Sequence, residues 1–337
     1  MGGVLDVLRL YRLHSGAATA SVALVPGLVA GAGIPTLVVI FIACMAHHAW
    51  GFSLNEIMDL EVDSCSGIHP HKPLVSGRIS KRIAHLISTT ALIISLASFL
   101  AASYMESGYI VLTLALVVGA TVAGAIYDIR GKNFPLSDIF VGGWLFFLVL
   151  ASASASAGTG GFVTAVWAAA VLGALHLVFN NSVEGGLKDT EGDRRAGVRS
   201  LAVLLGVRSR GSKVLIPPAF RAWGMTLRGV FIILAAVFSY LISVREGWGS
   251  WVVVVVSVWG VFLFAHSLLF LRTGERHPRK KMIRTFSVHE VLSFGLSLLV
   301  VAPAVGILGA VFLLVLSLVW FMVMNRIMYG TSISPKV

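Results

Sequence analysis

Apolar segments of membrane-crossing length recur along nearly the whole chain, and this feature excludes most folds. A helix needs roughly 20 mostly apolar residues to cross a bilayer. Such stretches run at about 15–34, 35–54, 83–104, 108–126, 136–157, 162–180, 225–244 and 250–271. A longer one extends from about 287 to 324, and Pro303 and Gly306 near its middle split it in two, giving ten expected spans. The charged fraction agrees, at 12% of 337 residues against about 25% in a soluble domain. The chain therefore reads as one integral membrane domain, residues 1–337. The two cysteines, Cys44 and Cys65, make neither a disulfide framework nor a metal-ligand cluster. The N-terminus shows no short cleavable signal pattern, and Asp6 stands where a myristoylation site needs Ser or Thr.

A net charge of +11 raises nucleic acid as a partner, but the positions of the basic residues account for it otherwise. With the N-terminus in the cytoplasm, all but Arg245 of the 26 lysines and arginines fall in cytoplasmic segments, as the positive-inside rule requires. In this reading Arg228 closes the third cytoplasmic loop. The outer connections, around GIPT, SYMESG, GTGG, VREGWG and PAVG, are short and bland. Polarity confined to one side argues for a site at one face of the plasma membrane. The segment ASASASAG reads as a stripe for close helix packing, and RTGERHPRKKMIR as an anchor to anionic lipid.

The stretch NEIMDLEVDSCSGIHPHKPLVSGRIS, 55–80, gathers four acidic residues in eight positions and then a run of bases. Asn55, Asp59 and Asp63 fall at i, i+4 and i+8, one face of a helix; Glu56 and Glu61 are expected to point elsewhere. In EGGLKDTEGDRRAGVRS, Asp189 and Asp193 repeat the i, i+4 spacing, with Asn181 and Glu184 one to two turns earlier. Carboxylates at helix C-termini oppose the helix dipole by roughly 0.3–1 kcal/mol each. Like charges about 4 Å apart repel by about 4 kcal/mol in a partly shielded site. Cations relieve both, and oxygen-only ligands with room for phosphate suit Mg²⁺. Two clusters suggest two metal sites flanking a diphosphate, with two solvated acidic loops as the bland alternative. Of the neighbouring bases, Lys72 and Lys132 lie near span ends beside an acidic residue or aromatic, and Arg12 stands within reach of the same pocket. The others, including His69, Arg78, Arg130, Arg194, Arg195 and Arg199, read first as positive-inside anchors.

These same residues carry a family resemblance. NEIMDLEVD resembles the NxxxDxxxD motif of the UbiA-type intramembrane prenyltransferases, and KDTEGDRRAGVRSLAVLLG resembles their DxxxD motif with its following AGxRTLAxxLG stretch. HKPLVSGRIS is similar to their RPLPSGRIS segment, and YDIRGK to their Tyr-plus-Lys loop. The motifs fall in family order over residues 1 to about 285. The resemblance implies an all-α polytopic membrane bundle of nine to ten helices around a central cavity open to lipid, with an added hydrophobic segment at about 287–324. It implies two Mg²⁺ ions, one served by Asn55, Asp59 and Asp63, the other by Asp189 and Asp193. Lys72 and Lys132 are then expected at the diphosphate of a polyprenyl donor such as geranylgeranyl diphosphate. His69 lies near the family's usual Arg, and the Tyr127–Lys132 spacing, one residue longer than in the family, makes Arg130 a competitor for the Lys132 role. The acceptor stays open between an aromatic ring, as in quinone synthesis, and geranylgeranylglyceryl phosphate, as in archaeal ether lipids. No nucleic acid is expected.

Two other classes compete. An ion-coupled carrier using the same carboxylates predicts ionisable residues near the bilayer midplane, and the spans are expected to offer almost none, His176 and His266 being the nearest. A lipid-surface protein explains the basic loops but not the paired acidic spacings.

Overall fold

The computed structural model describes residues 3–66, 72–131, 134–210, 213–272 and 276–332. The chain is almost entirely helical: α1 Val4–Leu10, α2 Gly16–Val29, α3 Ile34–Met58, α4 Leu60–Ser66, α5 Lys81–Met105, α6 Ile110–Arg130 and α7 Asp138–Ala157 form the first half. The second half holds α8 Thr164–Phe179, α9 Gly186–Arg195, α10 Leu201–Leu204, α11 Pro218–Arg245, α12 Trp251–Phe270, α13 Arg279–Val305 and α14 Ile307–Tyr329. Among the described residues nine helices are long and apolar enough to cross a membrane. The tenth expected span is the shorter apolar stretch Leu13–Val29; α2, with 14 residues, is only about 21 Å long at 1.5 Å per residue. The split of the last apolar run occurs where Pro303 and Gly306 predict. Helix α13 ends at Val305 and Gly306 turns the chain at φ +79°, a conformation an L side chain resists.

Helix α7 sits in the middle, packed on α2, α5, α6 and α8, and α8 packs in turn on α11 and α13. Small residues allow this proximity, since Ala151, Ala153, Ala155, Ala165, Ala168 and Ala169 are all buried. The ASASASAG stripe behaves as packing surface: Ser154 Oγ accepts from Thr113 Oγ1 at 3.0 Å, and a Cβ on Gly108 would stand 2.6 Å from the carbonyl oxygens of Ser154 and Ala155. The outer faces are the reverse of a soluble protein's, with Leu86, Val111, Ile233, Val261 and Leu308 strongly exposed. Helix α14 packs against α1, α2 and α13, so the C-terminal helix meets the N-terminal ones.

Two expectations change. A small antiparallel sheet joins two loops, with β1 Arg208–Arg210, β2 Lys213–Leu215 and β3 Arg276–Pro278 in the order β1-β2-β3. Part of the expected lipid anchor is thus a strand and the start of α13. Arg228 is no loop residue: Pro218 opens α11 ten residues earlier, and the Arg228 side chain is 0% exposed inside the bundle. The apolar run visible in the sequence begins only at about 225, so the helix start before it goes unseen.

Candidate functional site

The first acidic motif keeps its predicted face. Helix α3 ends at Met58 and bends at Asp59, yet Asp59 N donates to Asn55 O at 2.9 Å and Asp63 N to Asp59 O at 2.8 Å. Asn55, Asp59 and Asp63 therefore stack one turn apart, and both aspartates are buried, 8% exposed. Lys72 reaches into this face: its Nζ is 2.7 Å from Asp63 Oδ2 and 3.7 Å from Glu56 Oε1. Arg12 comes from the other side, 3.5 Å from Glu56 Oε1 and over the Phe52 ring at 5.1 Å. Burial alone would lower the Arg12 pKa, but the carboxylates of Glu56, Asp63 and Asp59 overcome it and hold the guanidinium above its ordinary value.

Glu56 is a correction. It is 3% exposed and belongs to the cluster, whereas Glu61 is exposed as expected. Glu56 stands three residues before Asp59, and i, i+3 neighbours share a helix face as i, i+4 neighbours do. That spacing was the missed signal.

The presentation of Arg12 is costly. Its backbone is left-handed, φ 44° and ψ 44°, which in a residue with a Cβ costs about 1–2 kcal/mol. Several bonds hold it there. The Arg12 carbonyl accepts from Ser15 Oγ at 3.0 Å and from His48 Nε2 at 3.3 Å. From α14, Trp320 Nε1 donates to Leu13 O at 2.7 Å, and the Met328 carbonyl accepts both Nε and Nη2 of Arg9 at 3.0 and 2.7 Å. The C-terminal helix thus clasps the segment that carries Arg12.

The second motif follows a change of helix type. After α8 the chain widens into a π-helical turn, Asn180–Gly185, before α9 presents Asp189 half-buried and Asp193 buried. Helix α9 packs against α4. The end of α6 joins the two motifs: Tyr127 OH donates to Asn181 Oδ1 at 3.3 Å, and Asp128 Oδ1 accepts from Asn55 Nδ2 at 3.1 Å. Adjacent residues of one helix therefore touch both acidic segments. Asp128, in the quoted YDIRGK, is a further participant that the sequence reading passed over.

Other basic residues go elsewhere. Arg78 Nε pairs with Asp6 at 2.9 Å, Arg194 donates to the Val207 carbonyl at 3.2 and 2.8 Å, and Arg195 pairs with Glu191 along α9 at 2.5 Å. Arg199 and Arg130 are exposed. His69 and Lys132 lie outside the described residues.

Among the described residues no three His, Cys, Asp or Glu side chains converge into a closed metal cage. Mg²⁺ takes one or two carboxylates and completes its shell with water and substrate phosphate. The carboxylates that could offer it oxygen are those of buried Asp59, Asp63 and Asp193 and half-buried Asp189, and Lys72 and Arg12 place positive charge beside Asp63 and Glu56.

Comparison with known proteins gives the family and the fold. The profile of the UbiA prenyltransferase family matches residues 16–288. The digeranylgeranylglyceryl phosphate synthase of Sulfolobus acidocaldarius is 29% identical over 180 residues, 52% of this chain and 58% of that protein. The matched stretch thus spans little more than half of that relative. The enzyme of the same name from Hyperthermus butylicus is 27% identical over 260 residues, 75% of this chain and 76% of its own length. A solved UbiA homolog from Archaeoglobus fulgidus, bound to GPP and Mg²⁺, superposes with a TM-score of 0.58 at 19% identity, covering 88% of this chain and 99% of that one. The fold, the apolar outer surface and a family match over most of the sequence lead to one assignment: this chain is an integral membrane protein of the UbiA prenyltransferase family.

Proposed function

We propose that the chain transfers a polyprenyl group from a polyprenyl diphosphate to geranylgeranylglyceryl phosphate, with Mg²⁺ held at the two aspartate motifs. The observation that carries this reading is the end of α6, where Tyr127 is bonded to Asn181 and Asp128 to Asn55. Two acidic segments far apart in sequence are thereby tied to one place, as a shared diphosphate would require. The acceptor is supported by the names of the two archaeal relatives, and the donor and ion by the ligands of the Archaeoglobus homolog. The whole chain acts as one unit in this reading, since α14 clasps the Arg12 segment.

In the proposed reaction Asn55, Asp59 and Asp63 hold one ion and Asp189 and Asp193 a second. When bound, Mg²⁺ supplies Lewis-acid neutralisation of the departing diphosphate. Lys72 and Arg12 orient the diphosphate and meet the charge that grows as the allylic C–O bond opens. Tyr127 keeps Asn181 turned toward α6, and the apolar helices keep water from the allylic cation. An acceptor oxygen then completes the ether.

The assay is direct. Purified protein in lipid nanodiscs receives radiolabelled geranylgeranyl diphosphate, Mg²⁺ and either geranylgeranylglyceryl phosphate or 4-hydroxybenzoate. The expected product is the prenylated glycerophosphate; transfer to the aromatic acceptor alone would overturn the choice of acceptor. A carrier is the second reading, because Glu184, Arg228 and His289 lie inside the helices as a carrier would need. It requires Mg²⁺-independent ion flux in proteoliposomes and no prenylated product.

The site is proposed to face the cytoplasm from the plasma membrane, on the distribution of basic residues. Single-cysteine labelling of intact cells is expected to succeed near Glu246 and fail at position 336. Strong external labelling at 336 would mean an odd number of spans.

A further inference from the structure

A second polar group lies inside the helices, and neither aspartate motif uses it. His289 Nδ1 is 2.6 Å from Glu184 Oε1, and His289 Nε2 is 2.9 Å from Ser267 Oγ. All three residues are buried. Arg228 lies in the same region with its guanidinium 3.9 Å from the centre of the Phe179 ring and 5.0 Å from that of Phe231. Its three nitrogens have no hydrogen-bond partner among the described residues, and neither do Glu184 Oε2, His176 Nδ1 and His266 Nδ1. His47, in the first half, is a contrast. His47 Nδ1 accepts from Trp144 Nε1 at 2.8 Å and its Nε2 faces Thr121 Oγ1 at 3.2 Å, so both nitrogens are engaged.

Buried polar groups are normally paired, and a buried charge left alone is strongly unfavourable. Ionisable groups inside a membrane domain mark proton or substrate pathways more often than packing. A Glu184 carboxylate is opposite in charge to the Arg228 guanidinium; in that state His289 donates Nδ1–H to Glu184 Oε1, and its Nε2 meets the Ser267 hydroxyl, whose Oγ is also 3.0 Å from the Leu263 carbonyl. That leaves Glu184 Oε2 without a hydrogen-bond partner among the described residues, while Arg228 and His289 both lie against the Phe179 ring. Glu184 sits on the π-helical turn between Asn181, bonded to Tyr127, and Asp189 of the second motif.

We propose that Glu184, held by His289 with Arg228 against the neighbouring Phe179 ring, accepts the proton that the acceptor hydroxyl loses on prenylation. This rests on the transfer reading above. The donor C–O bond breaks with its electron pair going to the diphosphate. An acceptor oxygen lone pair forms the new C–O bond, the O–H electrons stay on that oxygen, and the proton passes through water to Glu184. Glu184 becomes a neutral acid, and the proton leaves to solvent before the next turnover. Donor ionisation precedes this step and does not need it.

The test separates the two steps in nanodiscs with Mg²⁺ and labelled geranylgeranyl diphosphate. Without acceptor, diphosphate release reports ionisation; with geranylgeranylglyceryl phosphate, ether product reports transfer. Glu184→Gln is expected to change diphosphate release by less than about 3-fold and to lower ether formation by about 100-fold or more, the scale of losing a positioned base. Glu184→Asp should recover part of the loss. Ser267→Ala, a smaller change that carries the test if Glu184→Gln does not fold, is expected to lower ether formation alone. Parallel loss of both readouts in either folded variant, or no loss in either, overturns the proposal. Failure of the transfer reading itself looks different, because the wild type would then release diphosphate and form no ether.

Discussion

Asp59→Asn and Asp193→Asn are each expected to lower turnover by at least about 100-fold, the scale of removing one preorganised electrostatic group. Both carboxylates are buried at the ends of separate helices joined through the end of α6. Most of the donor's affinity is expected to come from burying its prenyl tail, at about 0.8 kcal/mol per CH₂. Charge at the aspartates matters chiefly as negative charge develops on the leaving group. The fall in kcat should therefore exceed any rise in KM, and added Mg²⁺ should restore only part of it. Glu61→Gln is the control, since Glu61 is exposed two residues beyond Asp59, in α4. Steady-state kinetics with labelled donor decide the matter; equal damage from Glu61→Gln would remove the special role of Asp59.

Lys72→Gln is expected to lower kcat/KM by about 100-fold while leaving product chain length unchanged. The ammonium lies 2.7 Å from Asp63 and 3.7 Å from Glu56, all three nearly inaccessible to water. Its removal takes a cation from the diphosphate site and leaves buried carboxylates short of a partner, which destabilises the cluster. Lys72→Arg keeps the charge and should retain more activity and a higher Tm, which separates the two effects. Chain length is expected to follow the apolar volume offered to the tail, because side chains along the helices away from the site are overwhelmingly apolar. Product analysis by mass spectrometry is the check, and a shift in length on changing Lys72 would contradict this division of roles.

Much of this architecture was legible in the sequence because a bilayer leaves few alternatives. Apolar runs locate helices, and Pro303 with Gly306 marks the break between α13 and α14. The i, i+4 spacing of Asp59 and Asp63 survives the bend at Asp59 because the backbone bonds continue through it. The rest depends on tertiary placement or on weak local signals. Glu56 lies outside the i, i+4 series and joins the cluster through its i, i+3 spacing to Asp59. Arg228 escaped because α11 opens on a mixed stretch, Pro218 to Gly224, that hydropathy does not distinguish from loop. Nothing local to NNSVEG announces the π-helical turn, and no pattern near Arg12 foretells that α14 will fold back to hold it.

The central claim is that both aspartate motifs act on one diphosphate through divalent metal. The most direct measurement is release of diphosphate from labelled geranylgeranyl diphosphate by the nanodisc-embedded wild type, Asp59→Asn, Asp193→Asn and the double variant, across a Mg²⁺ titration and in EDTA. The account predicts release that EDTA abolishes, that either substitution lowers by at least about 100-fold, and that the double variant lowers by less than the product of the two single effects. Release that persists in EDTA, or losses from the two substitutions that multiply as independent sites would, contradicts it.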